Sequence, residues 1–363
     1  MKKIVFTVTN DLSYDQRMQR ICTTLSNAGY DVTLVGRLKK DSVPLKKHNF
    51  NQVRLKCFFH KGKLFYLELN LRLLFYLLKN KFDIIGSIDL DTILPGFIVA
   101  RYKKILQIYD AHEYFPELEE VVHRPFVKKI WQKIEEFTVP KIPYGYTVSQ
   151  NIKEIFKEKY NVDYELVRNI SVLREIPEKI HKYERTIIYQ GAVNYGRGLE
   201  ETILAMHHVD ATFLICGKGD VYEDLQELVK QEQLQDKVVF KGYLQPDELR
   251  QETLKATFGI TFFKDAGLSN KYSLANRFFD YIHAGIPQLT VNLPEYERFN
   301  KEFEVSLLVD NLTPEEIARK ANILLNNNEL YNRLKENTLK ARKVYNWQQE
   351  EKKLLNFYQN LPV

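Results

Sequence analysis

The 363-residue sequence has only three cysteines, Cys22, Cys57 and Cys216. They are widely spaced, odd in number and contain no Cys-x-x-Cys pair. That argues against a disulfide framework or a zinc site and points to a reducing cytoplasm. No stretch reaches the ~18 uncharged apolar residues of a membrane span. The opening MKKIVFTVTN turns polar within a few residues, so it reads as a buried first strand rather than a signal peptide. No Gly-x-Ser-x-Gly nucleophile elbow is present. Nor is there a complete Gly-x-Gly-x-x-Gly; its absence after Val8 disfavours an NAD dehydrogenase. Low-complexity tracts and short repeats are missing too. What remains is a chain of 44% hydrophobic residues, enough to build sizeable cores and, by length, two ordinary domains.

The formal net charge of +6 hides an asymmetry. Residues 1–185 hold 32 Lys and Arg against 22 Asp and Glu, leaving 21 basic and 25 acidic residues for the rest. Between Arg37 and Lys63 nine basic residues face a single acid, Asp41, and an aromatic-aliphatic stretch follows (Leu64 to Leu67, then Leu73 to Leu78). The plain reading is a solvated loop before a core helix; the alternative is peripheral contact with an anionic membrane at its inner face. Nucleic acid is not expected, since the charge is modest and no recognition motif occurs.

Strand-length apolar runs alternate with helical patterns throughout. Ile4–Val8, Val32–Val35, Phe82–Ile85, Ile105–Tyr109 and Tyr144–Val148 form one series. Ile187–Tyr189, Thr212–Cys216, Val238–Phe240, Phe258–Phe262 and Gln288–Val291 form another. Such strands, buried on both faces and separated by helices, predict parallel α/β sheets. The reading is two doubly wound, Rossmann-like domains, residues 1–170 and 186–345, joined by a charged linker, 171–185. A C-terminal helix over 346–363 follows. Ligands are expected beyond the carboxyl ends of the strands and between the domains.

One helix carries a specific expectation. NKYSLANRFFDYIHAG, residues 270–285, has Ser273 as a candidate N-cap and Gly285 at its end. The amides of Leu274, Ala275 and Asn276 would then form a phosphate site at the helix start. Asp280 lies seven residues after Ser273 on the same stripe, about 10 Å along the axis. That suits a ribose attached to a bound pyrophosphate, because a carboxylate accepts from two vicinal hydroxyls at once. The bland alternative is a surface Asp paired with Arg277.

LANRFFDYIHAGIPQL resembles the donor-nucleotide segment of the GT-B glycosyltransferases, in particular the retaining family 4 (glycosyl transferases group 1). There an acidic residue stands five positions before Gly-x-Pro, as Asp280 does before Gly285 and Pro287. Tyr272 occupies the place of the family's first Glu. YQGAVNYGRGLEETILAM resembles the first strand-loop-helix of the family's C-terminal domain. It puts Arg197 where a basic residue neutralises the donor diphosphate, with Arg277 and Lys271 as further cations. Gly191 is followed by Ala192 where the family has an Arg. VVFKGYL resembles the nucleobase-packing segment, which implies Lys241, Tyr243 and Leu244. ICGKGD holds only a lone Gly-x-Gly, read first as a tight turn.

In the first half, IYDAHEYFPE puts His112 directly after a strand, where the resemblance implies contact with donor sugar or phosphate. TNDLSYDQRMQR covers the loop that in the family touches sugar or acceptor, with Asn10, Asp11 and Arg17 as candidates beside Lys271 and Tyr272. The helix around Trp347 is expected to cross back to the first domain. Asp89 and Asp91 form an Asp-x-Asp pair, but the resemblance implies charge neutralisation by basic residues and no metal. The implied activity is a hexosyltransferase-type transfer from a UDP- or GDP-sugar to a glycan or lipid-linked acceptor, retaining, in cell-surface polysaccharide synthesis. Rival readings are a non-hydrolysing nucleotide-sugar epimerase and a catalytically degenerate binding protein of the same fold.

Overall fold

Thirteen short strands, all paired in parallel, build the described structure. It is a computed structural model that describes residues 1–13, 15–264, 267–272 and 274–362. The chain divides into one unit of residues 1–169 with 350–363 and another of residues 170–349. Each is a doubly wound α/β domain, as expected.

The first domain contains β1 (Lys3–Thr7), β2 (Asp31–Leu38), β3 (Asn51–Lys56), β4 (Ile84–Ile88), β5 (Leu106–Ala111), β6 (Gly145–Thr147) and β7 (Glu165–Leu166). Their order is β3-β2-β1-β4-β5-β6-β7. The second contains β8 (Thr186–Gln190), β9 (Thr212–Cys216), β10 (Val238–Gly242), β11 (Phe258–Thr261), β12 (Gln288–Val291) and β13 (Ser306–Val309), ordered β10-β9-β8-β11-β12-β13. Central strands such as β4 and β8 are buried at every position, as a sheet covered by helices on both faces requires. The winding reverses between β1 and β4 and again between β8 and β11. At such switch points the loops leave the carboxyl edge in opposite directions and open a crevice.

The boundaries differ from the sequence expectation in two places. Residues 171–185 are not a free linker: the Tyr183 amide donates to the Lys255 carbonyl (2.9 Å), Lys182 Nζ donates to the Leu254 carbonyl (2.6 Å), and Ile176 and Ile180 pack on the second domain's core. The terminal helix Trp347–Gln359 is divided within its first turn, with 350–363 belonging to the first domain. Buried Tyr358 meets Phe6 and Tyr30 edge to face at 6.4 and 6.1 Å, and buried Glu350 accepts from the Arg168 amide.

Arg17 corrects another expectation. It sits in the first turn of the helix Gln16–Asn27, which Asp15 caps by accepting from the Met18 amide. Its guanidinium is buried and donates to Asp110 Oδ1 at 2.7 Å, so it ties the first helix to the end of β5 rather than facing a sugar. Two charges removed from water together hold each other, and removing one strands the other. Arg17→Met is therefore expected to lower the urea-unfolding free energy by about 3–5 kcal/mol, and Arg17→Met with Asp110→Leu to recover most of it. A double variant as unstable as the single one would show that the pair does not act as a unit.

Candidate active site

The switch point of the second sheet gathers most of the candidate donor residues. Arg197 lies on the loop after β8, and Arg277 in the first turn of the helix Asn276–Ala284. Both guanidinium groups lie over the ring of Phe263, at 4.5 and 5.0 Å from its centroid. Arg277 is buried; it also covers the Tyr189 ring at 4.7 Å, donating to Tyr189 Oη (3.0 Å) and the Gln190 carbonyl (3.2 Å). No carboxylate pairs with Arg277 among the described residues. Two cations thus gather around one ring at a strand end.

The helix begins later than the sequence suggested. Leu268–Lys271 makes a separate short turn, and the long helix starts at Asn276 with Ala275 as its N-cap. Ser273, expected as the cap, lies outside the described residues. Leu274 and Ala275 pack against the core, and the Ala275 amide donates to Tyr296 Oη at 3.1 Å. That amide is already used, so the donors at the helix start are the first-turn amides of Asn276 and Arg277. The physical reason is the buried Tyr296 hydroxyl, which holds Ala275 extended as the cap, two residues later than expected. Lys271 and Tyr272 end the preceding turn and are half-buried.

Asp280 sits one turn into this helix. Its Oδ1 accepts from Ser171 Oγ and its Oδ2 from Gln190 Nε2, both at 2.9 Å. Gln190 Oε1 in turn accepts from Thr253 Oγ1. Asp280 is half-buried, and these two donors fix its carboxylate.

The glycine loop after β9 serves backbone approach. Gly217 has φ +152, and a Cβ there would lie 1.8 Å from the Gly191 carbonyl oxygen. The Gly217 amide donates to the Gly242 carbonyl (2.8 Å), which ties this loop to the end of β10. Only glycine lets the two strand ends meet so closely, in keeping with the tight-turn reading. Beyond β10, Tyr243 is exposed and Leu244 half-buried against the core; Lys241, on the strand, lies 3.6 Å from Glu252.

In the first domain His112 follows β5, beside the switch-point strand β4. The amide of Asn169 donates to His112 Nε2 at 3.2 Å, which leaves the proton on Nδ1, 4.0 Å from Asp89 Oδ2. Asp89 follows β4 with φ +55, a backbone conformation costly for a residue with a side chain, and its Oδ1 accepts from the Glu113 amide. Burial, then the nearby Glu113, Asp91 and Asp110, pushes the Asp89 carboxyl well up. Burial likewise raises Asp91 to about 7, against the Thr9 hydroxyl that donates to it at 2.8 Å. Asn10 is exposed; its side chain donates to Asp15, and its carbonyl accepts from the Arg37 amide. Asp11 is buried and holds Arg54 at 2.7 Å; despite burial, the Ser42, Ser13 and Arg54 donors keep its carboxyl below the usual range. It therefore fixes its loop rather than meeting a ligand. Among the described residues no three His, Cys, Asp or Glu side chains converge as metal ligands. Sequence reasoning missed Phe263 and Gln190 as parts of these sites, weighed Asp89 only as half of a metal-binding pair, and missed Asn169. The first three stand at or just beyond the ends of switch-point strands, the one signal that could have found them.

These two switch-point sites, on paired doubly wound domains, define a protein of the GT-B type. Residues 174–341 match the glycosyl transferases group 1 family, and residues 16–171 match Glycosyltransferase Family 4. No curated protein matches in sequence. Sucrose-phosphate synthase from Thermosynechococcus elongatus superposes with a TM-score of 0.83 at 13% identity, covering 99% of this chain and 98% of that one. Anabaena HepE in complex with UDP and glucose gives 0.78 at 11%, with 99% and 100% covered. WaaG, a glycosyltransferase involved in lipopolysaccharide biosynthesis, gives 0.73 at 12%, with 97% and 98% covered. The chain is a GT-B glycosyltransferase of the family-4 type.

His112 generates a prediction. Burial, then Arg17 and Arg20, lowers its pKa to about 3. The folded imidazole stays neutral while the unfolded one protonates near 6.5. Its contribution to stability is therefore present in full above about pH 6.5 and lost as pH falls toward 3. The stability difference between wild type and His112→Gln is expected to shift in favour of the variant from pH 7.5 to pH 5, read from urea midpoints. A difference independent of pH would show that this imidazole titrates normally.

Proposed function

We propose that the enzyme moves a hexosyl group from a nucleoside-diphosphate sugar to a glycan or lipid-linked acceptor, with retention and without a metal, in polysaccharide assembly. The observation that carries this reading is the pair Arg197 and Arg277 around Phe263, beside the first-turn amides of a helix. A leaving diphosphate develops charge as the sugar bond breaks, and preorganised cations and amide dipoles stabilise it where it forms. Two guanidinium groups supply there the charge that a divalent ion would otherwise bring. Asp280 would accept from the two ribose hydroxyls, and Tyr243 and Leu244 would bound the base. UDP bound to the structural neighbour HepE supports a uridine nucleotide, and GDP is the alternative. His112, neutral and oriented by Asn169, is suited to hydrogen-bonding a sugar hydroxyl or phosphate. It is not cast as a general base, and a front-face retaining transfer needs none from the protein.

Thermal unfolding with UDP, GDP and ADP tests this. At 100 times its dissociation constant, one nucleotide is expected to add about 2.7 kcal/mol. Arg197→Ala, at a half-buried loop position, is expected to weaken that nucleotide roughly 10- to 100-fold, as loss of a charge-assisted hydrogen bond does. Asp280→Ala should discriminate most against nucleosides that keep both ribose hydroxyls. Stabilisation by no nucleotide, or equal binding to Arg197→Ala, would overturn the site. Binding without sugar transfer to any acceptor would leave the degenerate reading, which Tyr272 in place of an acid also favours.

A further inference from the structure

Twelve of the 22 exposed large apolar side chains of the described residues lie between Phe58 and Phe137. They concentrate on three helices of the first domain, Gly62–Lys79, Ile93–Lys103 and Pro125–Thr138. These helices connect β3 to β4, β4 to β5 and β5 to β6, all in one direction along the sheet. Right-handed crossovers in one direction lie on one face, so the three form a single layer.

The helix Gly62–Lys79 is apolar on two sides. Phe65, Leu69, Leu73 and Leu77 are buried against the sheet. Leu64, Leu67, Leu71, Phe75 and Leu78 face outward, Leu67 with 58% and Phe75 with 66% of its surface exposed. At 100° per residue these five fall within about 80° of arc over about 21 Å. A continuous exposed stripe of this kind marks an interaction surface. At its start two consecutive phenylalanines stand in solvent, Phe58 at 77% and Phe59 at 48%. Their amides both donate to Glu68, which fixes the loop that presents them. Lys63 Nζ lies 5.1 Å from the ring of Phe126 and so links this end to the third helix.

The other two helices repeat the pattern with cations interleaved. Ile98 and Tyr102 are exposed around Arg101, and Phe126, Ile130 and Phe137 around Lys129 and Lys133. The three helices hold eight Lys and Arg but three acids, of which only Glu136 is exposed. Between the second helix, the start of β5 and the segment that follows the third helix lies a recess of about 250 Å³ whose lining includes Phe97, Arg101, Lys141 and Ile142. The Lys141 ammonium sits 3.6 Å over the Phe137 ring and the Arg101 guanidinium 4.2 Å over Phe97. Aromatic and aliphatic side chains set among uncompensated cations match an acyl surface bearing anionic headgroups, the chemistry of interfacial helices. No described helix is long and apolar enough to cross a membrane.

We infer that this helical layer docks the protein flat on an anionic lipid bilayer, the apolar stripes entering the headgroup boundary and Lys63, Arg101, Lys129, Lys133 and Lys141 meeting lipid phosphates. The inference uses the first domain alone and does not depend on the donor-site reading.

Co-sedimentation of the full chain with phosphatidylcholine vesicles, with and without phosphatidylglycerol, tests it. Binding is expected only with phosphatidylglycerol and is expected to weaken as salt rises. Leu71→Glu with Phe75→Glu, and separately Lys129→Glu with Lys133→Glu, should each reduce binding roughly tenfold or more. Val344→Glu, exposed in the second domain, should not change it. All five substituted sites are exposed, and far-UV circular dichroism checks that the variants fold. No sedimentation with anionic vesicles would overturn the inference. So would a dimer in analytical ultracentrifugation that Leu71→Glu with Phe75→Glu abolishes, since a second copy would then cover the stripe.

Discussion

A buried guanidinium held by a phenol and a carbonyl, but by no carboxylate among the described residues, organises the second domain. Arg277 contacts Tyr189 and the carbonyl of Gln190 at the end of β8, and stacks near Phe263 beyond β11. It therefore bridges the two strands between which the sheet reverses. Burying an uncompensated charge is costly, and the cost is met only if something negative arrives or the field is shared. Arg197 on the same ring makes the field stronger. The helix carrying Arg277 adds its own positive end. Asp280, one turn further, is tied through Gln190 to the same strand end. Cation, amides and carboxylate thus sit on one rigid frame, with positions set by backbone contacts rather than by flexible loops.

The first domain applies the same geometric rule with opposite electrostatics. Its switch point concentrates acids, Asp89, Asp91, Asp110 and Glu113, around one histidine. Arg17 closes the charge of Asp110, while burial raises Asp89 and Asp91. Negative charge crowded in a low-dielectric pocket is relieved by protons when no cation is available. His112 stays neutral for a different reason: burial, then the nearby Arg17 and Arg20, disfavours a further positive charge there. The positive φ of Asp89 shows that this turn is held by its surroundings, through the Glu113 amide and the Asp110 carbonyl.

The long helix Gly62–Lys79 separates what the sequence joins. The basic run before it looked like the feature that could address a membrane. In the fold Arg54 is taken up by Asp11, and Arg37 lies over the Phe65 ring while donating to the His60 carbonyl. Apart from Lys63 in its own first turn, the cations near the apolar stripes come from two other helices and the segment just after them, far away in sequence. A helix apolar on both sides gives no periodic signal for which side is core, because its buried and outward-facing residues are the same types.

The residues by themselves determined the fold class, because β-branched and aromatic runs separated by helical patterns can be buried on both faces only in wound parallel sheets. Helix spacing marked Asp280, and the family resemblance marked Arg197, Arg277 and His112. Tertiary contact decided the rest. Whether Ala275 or Ser273 precedes the helix turned on the Tyr296 hydroxyl, twenty-one residues away from Ala275. Whether Arg17 and Asp11 face solvent or protein turned on Asp110 and Arg54. Local sequence sets which conformations and charges are possible. Only the packed fold brings distant partners close enough to consume one donor and leave the next available.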